Sequence, residues 1–185
     1  MRRSPHCARD PHPIHPRLST APTPCSQGAV TPLDLADVAT ARELLDLQLA
    51  AYGAEAVLVG TDQLPPLRDT VETIMTAGEV AYGYRVGGRL LGCIAFKRTH
   101  RGSVDVHRLM VAPACFRRGI ATRLLRFLDS TEHSPHTLVA TAAANRPAVL
   151  LYLGLGFREL GRRWTDSGLE LVMFERAAES ADAVR

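Results

Sequence analysis

Between Val111 and Thr122 the chain reads Val111-Ala112-Pro113-Ala114-Cys115-Phe116-Arg117-Arg118-Gly119-Ile120-Ala121-Thr122, the end of an apolar run followed by a basic turn and a helix-like segment. The free N–H groups of such a turn and the positive end of the helix dipole form a natural seat for a phosphate. Gly119 lets the backbone approach a ligand with no Cβ in between, and Ala121 keeps the next contact small. Arg117 and Arg118 can reach further phosphate oxygens. The same residues also fit a plain reading, a solvated basic surface with a glycine in a turn. No G-x-x-x-x-G-K-[ST] or G-x-G-x-x-G stretch is present, which weighs against a nucleoside triphosphate or a dinucleotide.

A second group is Asn145-x-x-Ala148-x-x-x-Tyr152-x-x-x-Gly156-Phe157. The spacing of three and four places Asn145, Ala148 and Tyr152 along one helical face. Taken singly they read as an N-cap, a packed alanine, a boundary tyrosine and a glycine stop. A third group sits on the strand that leads into the basic turn, where simple alternation puts Asp105, His107 and Leu109 on one face. A carboxylate and an imidazole there can move protons near neutral pH; a strand histidine satisfied by a neighbour is the structural alternative.

The elements that would position these groups follow from periodicity. Asp34 can cap a helix with an apolar stripe at Val38, Ala41, Leu45, Leu49 and Tyr52, ending near Gly53. Past Gly60 and the rigid Leu64-Pro65-Pro66-Leu67 stretch, Asp69 and Glu72 have capping-box spacing for a second helix closed by Gly78. The runs 79–86 and 90–98 flank Gly87-Gly88 and should pair as a hairpin. A strand over 103–112 then feeds a helix carrying Ile120, Leu124, Leu125 and Leu128, a strand over 137–141, a helix over 146–153 and a last hairpin, 158–164 with 169–175. The fold class is therefore α/β with a mixed sheet: mostly antiparallel, one parallel pair made by the crossover from Val104 to Val139, and helices on both faces.

The turn and the Asn145–Phe157 stretch together resemble the GNAT superfamily of acetyl-CoA-dependent N-acetyltransferases, whose signatures are [QR]-x-x-G-x-[GA] and N-x-x-A-x-x-x-Y-x-x-x-G-F. The second is met here at every fixed position, and the element order from Leu33 to Arg176 resembles that fold. Phe116 stands where the first signature has Gln or Arg, a departure that Arg117 next door offsets in charge. The resemblance implies acetyl-CoA as co-substrate, with its diphosphate at Phe116, Arg117, Arg118, Gly119, Ile120, Ala121 and Thr122 and its pantetheine along Leu109, Met110 and Val111. It implies cofactor contact from Asn145, and Tyr152 beside the sulfur as general acid. A backbone N–H near Met110 or Val111 would polarise the thioester carbonyl. Asp105 falls where many relatives carry a glutamate base; it or His107 would take the acceptor's proton. The expected acceptor is a small-molecule primary amine, entering beside Tyr52, Glu55, Asp62 and the Leu64–Leu67 stretch, with the two carboxylates suited to a cation. Two other readings stay open, a catalytically idle acetyl-CoA-binding regulatory module and a protein or peptide N-acetyltransferase.

Composition sets the remaining bounds. With 185 residues, 46% hydrophobic and 22% charged, the chain fits one globular domain. Residues 1–30 hold six of twelve prolines and three of seven histidines, and should be a disordered tail; 31–178 should form the domain and 179–185 a flexible end. Four arginines against Asp10 in that tail account for the whole net charge of +3, so the folded part gives no reason to expect nucleic acid. A translation start near Val30 is one reading of so different a segment, and N-terminal mass measurement would test it. No run approaches the roughly 20 apolar residues of a membrane span, and the tail lacks a secretory h-region, so a cytoplasmic protein with no membrane partner is expected. Cys7, Cys25, Cys93 and Cys115 show no close pair and read as free thiols. Cys7 and Cys25 with His6, His12 and His15 lack a scaffold for tetrahedral zinc, so no metal is expected. The oligomeric state stays open, a homodimer included.

Overall fold

The computed structural model describes Cys25 and residues 27–178. The elements run β1 (Ala29–Leu33), α1 (Val38–Val59), a 3-10 turn (Pro65–Arg68), α2 (Val71–Thr76), β2 (Val80–Val86), β3 (Arg89–Arg98), β4 (Val104–Val111), a 3-10 turn (Pro113–Cys115), α3 (Ile120–Thr131), β5 (His136–Ala142), α4 (Arg146–Gly154), β6 (Arg158–Trp164) and β7 (Glu170–Ala177). They build one seven-stranded sheet in the order β1-β2-β3-β4-β5-β7-β6. Every neighbouring pair is antiparallel except β4–β5, the parallel pair the crossover requires. One core, holding Leu44, Leu47, Ile74, Cys93 and Met110, lies between the sheet and α1 with α2. The other, holding Ile94, Phe96, Leu124, Leu125, Tyr152 and Phe174, lies beneath α3 and α4. Helices thus cover both faces.

Three expectations need correction in the first third of the chain. Strand β1 precedes α1 and begins at Ala29, at the edge of the expected tail; residues 1–24 and 179–185 lie outside the described residues. Helix α1 is capped by Asp37, whose carboxylate accepts from Thr40 N at 2.8 Å, and it runs through Gly53 to a left-handed Gly60 at φ 74°. A lone glycine lowers helix propensity without ending a helix that tertiary packing holds. The buried face of α1 is Ala41, Leu44, Leu47, Gln48 and Ala51, whereas Val38 and Leu49 are exposed. The expected stripe holds at Ala41, with Leu45 and Tyr52 packed against the core, and fails at Val38 and Leu49, because Leu44, Leu47 and the polar Gln48 take the inward positions. The cap of α2 is likewise one residue later, a reciprocal pair of Thr70 and Thr73 in place of Asp69 and Glu72.

A further correction concerns the thiols. Cys25 and Cys115 are bonded across a separation of 90 residues, a pairing that short-range spacing could not reveal. The bond fastens the segment before β1 to the turn before α3. Tyr84 reinforces it, its hydroxyl donating to Cys25 O at 3.0 Å and accepting from Gly28 N at 2.9 Å. Cys25 is thereby withdrawn from the zinc set weighed above, whose other members lie outside the described residues. Cys93 is a free, fully buried thiol, and burial pushes its pKa up to about 12.

Candidate active site

The site begins where β4 and β5 part. Their pairing covers only Val104–Val106 against Thr137–Val139; beyond it β4 stays bonded to β3 as far as Val111, while β5 continues with β7. The β5-facing edge of residues 107–111 is consequently left without a strand partner, in a V-shaped gap roofed by α1 on one side and α3 and α4 on the other. Two cavities fill it. The larger, about 720 Å³, is lined by Leu109, Met110, Val111, Phe116, Arg117, Gly119, Ile120, Ala121, Thr122 and Asn145, with α1 and α4 closing it. The smaller, about 200 Å³, is lined by His107 from β4, Ala140–Ala142 from β5, Tyr152 from α4, and Leu64, Pro65 and Pro66. Tyr52, Glu55, Leu109, Asn145 and Ala148 line both, so the two meet there.

At the mouth of the larger cavity the turn has the shape of an anion seat. Arg117 is the one non-glycine described with positive φ, 61°, and Gly119 follows at 77°. An arginine in this region costs about 1–2 kcal/mol, and such strain is retained where the backbone must aim its amides. Gly119 is the N-cap of α3 and has no side-chain oxygen to offer, so no side chain caps the first turn, which also carries no acid. A Cβ on Gly119 would meet nothing within 4 Å, so open space lies over these amides. Of the residues expected to hold the cofactor, all but Arg118 and Tyr152 line this cavity.

Tyr152 belongs to the smaller cavity. Its ring is packed edge-on against Phe157 at 5.5 Å between centroids and tilted against Phe174 at 5.6 Å, which fixes its direction. Burial, and the nearby Tyr52 and Glu55, raise its pKa well above the ordinary phenol value, so the hydroxyl keeps its proton. Asn145 performs two tasks from one side chain. Its Oδ1 accepts from Ala148 N at 3.2 Å, capping α4, and the side chain lies beside the Glu55 carboxylate, drawing its pKa down against the upward push of burial.

Strand β4 does not present the face that alternation suggested. A bulge falls between Ala95 and Phe96 of β3, leaving His107 as the extra residue. Asp105, Arg108 and Met110 consequently pair across to Lys97, Ala95 and Cys93 on the α1 face, while Leu109 opposite Ile94 joins the α3–α4 core. Asp105 lines neither cavity; its Oδ2 stands 3.5 Å from His107 Nε2, and Glu79 Oε1 is 3.2 Å from Nδ1.

The strand's other charged residue, Arg108, escaped the sequence reading. It donates to Glu79 Oε2 at 2.7 Å, Asp69 Oδ2 at 2.6 Å and Gln48 Oε1 at 2.5 Å; Gln48 in turn donates to Pro66 O at 2.8 Å. This half-buried network pins α1, the 3-10 turn Pro65–Arg68 and β4 to one another. An arginine just ahead of Leu109, Met110 and Val111 inside a strand is the signal that could have disclosed it, since a charge among core neighbours must find partners. Glu43 does similar work at the other end of α1, accepting from Arg85 and from Leu90 N at 3.0 Å.

A family model described as an acetyltransferase (GNAT) domain matches residues 48–177. The chain belongs to the GNAT acetyltransferase family. This GNAT chain is 37% identical over 135 residues to the UPF0157 protein YqkA of Bacillus subtilis (strain 168), a match that takes in 72% of the chain but only 39% of that protein. It is 31% identical over 121 residues to the N-alpha-acetyltransferase RimI of Mycobacterium tuberculosis, 64% of the chain and 76% of that protein. Among solved structures, the ribosomal-protein-S18-alanine N-acetyltransferase from Escherichia coli superposes with a TM-score of 0.67 at 15% identity, covering 86% of this chain and 99% of that one. An aminoglycoside 6'-N-acetyltransferase complexed with coenzyme A gives 0.60 at 14% identity, over 82% and 98%. At such identities the superpositions establish the fold, and they agree with a GNAT sheet opened between β4 and β5. Among the described residues no helix is long and apolar enough to cross a membrane, and no cluster of three His, Cys, Asp or Glu could hold a metal.

Proposed function

We propose that this GNAT chain transfers the acetyl group of acetyl-CoA to a primary amine of a small molecule by direct attack. The observation that carries the reading is the cavity of about 720 Å³ that runs from the uncapped amides of α3 along the unpaired edge of β4. The diphosphate of CoA would rest on the amides of Gly119 to Thr122 with Arg117 beside it, and the pantetheine amides would bond the backbone of Leu109–Val111 as a missing strand would. That course ends where the two cavities meet, with Tyr152 on the wall of the smaller one. There the phenol would donate its proton to the departing thiolate, and a backbone N–H of Met110 or Val111 would steady the carbonyl oxygen.

The acceptor would occupy the smaller cavity. Its volume of about 200 Å³ and the Leu64–Pro66 wall favour a small amine over an extended chain. A second reading has its own support: RimI and the S18-alanine enzyme are named for acetylating proteins, so a protein N-terminus is the competing acceptor. Release of CoA thiol from acetyl-CoA, measured against a panel of small amines and an alanine-starting peptide, tests both. Turnover with the peptide alone would replace the small-molecule reading. Tight CoA binding in calorimetry without thiol release from any amine would leave a regulatory module.

A further inference from the structure

The proton-accepting group is the part of this chemistry that β4 supplies poorly. Asp105 lines neither cavity, and His107 meets carboxylates at both ring nitrogens, so an incoming ammonium would have to displace Asp105 to reach it. Of the residues lining the two cavities, Glu55 alone carries a carboxylate, and it lines both. It projects from the C-terminal part of α1 into the place where thioester and amine must come together.

Resting on the acetyl-transfer reading above, we propose that Glu55 is a catalytic residue that binds the acceptor's ammonium and takes its proton. Asn145, itself fixed as the cap of α4, lines both cavities with Glu55 and favours its charged form. The titratable groups that share these cavity walls with Glu55 are Tyr52 on its own helix, Tyr152 on α4, His107 on β4 and Arg117 in the turn before α3. Among the described residues no other anion lines the space, so the ammonium has one destination. Burial raises the Glu55 pKa from its ordinary value, with the nearby Asn145 side chain opposing it, which moves the carboxylate toward the basicity a proton acceptor needs.

The balance is as follows. Glu55 accepts one proton from R–NH3+, and the freed amine attacks the thioester carbon. The C–N bond forms, the C–S bond breaks, and the thiolate leaves with the Tyr152 proton. The second nitrogen proton restores the phenol, and Glu55 returns its own to solvent, giving amide, CoA thiol and one H+.

The test is Glu55→Gln in the full chain, assayed with acetyl-CoA and whichever panel amine gives the highest wild-type turnover. The carboxylate must be ionised to act, so wild-type kcat/KM should fall as pH drops through the raised Glu55 pKa. The variant should lose roughly 10²-fold or more in kcat and lose that acid limb, while CoA still raises its melting midpoint, which shows an intact fold. Glu55→Asp should keep the limb and part of the rate. A Glu55→Gln variant with wild-type kcat, whether or not KM rises, or with the limb retained, overturns the assignment while leaving acetyl transfer standing. A wild-type chain that releases no thiol with any amine overturns the acetyl-transfer reading and this assignment with it.

Discussion

Tyr152 and Gly119 test the two ends of the cofactor path separately, because one would act on the sulfur and the other on the phosphates. Tyr152→Phe removes a hydroxyl from a ring whose position is set by Phe157 and Phe174, so packing should survive. The expected result is a fall in kcat of roughly 10²-fold or more with CoA affinity nearly unchanged; unchanged turnover would exclude the phenol as acid. Gly119→Glu should instead abolish CoA binding in calorimetry. The new side chain would enter the left-handed region at φ 77°, and its carboxylate would stand over amides meant for an anion. Retained affinity would mean that the diphosphate lies elsewhere. Both residues could be singled out in the sequence because each stands in a short local motif, the basic turn before α3 and the stretch from Asn145 to Phe157. Glu55 could be named there only as a residue of the mouth. Its proposed role depends on sharing the cavity walls with Asn145, 90 positions further along the chain, a coincidence that no periodicity encodes.

At the scale of elements, the sheet from β2 to β7 was legible because most strands are apolar runs bounded by a turn or a helix cap, the polar β6 being readable as the partner of the last hairpin, and the parallel pair followed from one crossover. What escaped were features produced by pairing. The bulge opposite Ala95 and Phe96 reverses the faces of β4 from Arg108 onward, so alternation counted through His107 put Leu109 on the wrong side. Strand β1 escaped because its five residues, with Pro32 among them, make sense only as an edge strand on β2. Helix α1 gives a prediction of its own. Gly53 sits in mid-helix beside Tyr52 and Glu55, and an added Cβ there would meet nothing within 4 Å. Gly53→Ala should therefore raise stability by about 1 kcal/mol, read as a higher urea midpoint at unchanged slope. A lower midpoint would show that the helix needs this glycine, to bend or to open for the acceptor.

Across the whole molecule, the turn before α3 is held from two directions: α3 continues it on one side, and the Cys25–Cys115 bond ties it on the other to the segment that precedes β1. Cys115 also lines the larger cavity, so the cross-link reaches the wall along which the proposal lays the cofactor. Closing a loop of 90 residues restricts the unfolded chain and contributes about 2–4 kcal/mol. Cys25→Ser tests this without altering the cavity lining, because Cys25 stands outside it. Under non-reducing conditions the variant should unfold at lower urea than the wild type, and the gap should close when both are measured with excess dithiothreitol. Peptide mapping of the unreduced wild type should recover Cys25 and Cys115 in one linked fragment. Because the bond abuts Phe116 and Arg117, its loss should also weaken CoA binding, by less than Gly119→Glu does, since the amides remain but the turn is tethered at one end only. Equal midpoints with and without reductant would show that the packing of Tyr84 against this segment suffices to hold the turn, and that the cross-link adds nothing to it.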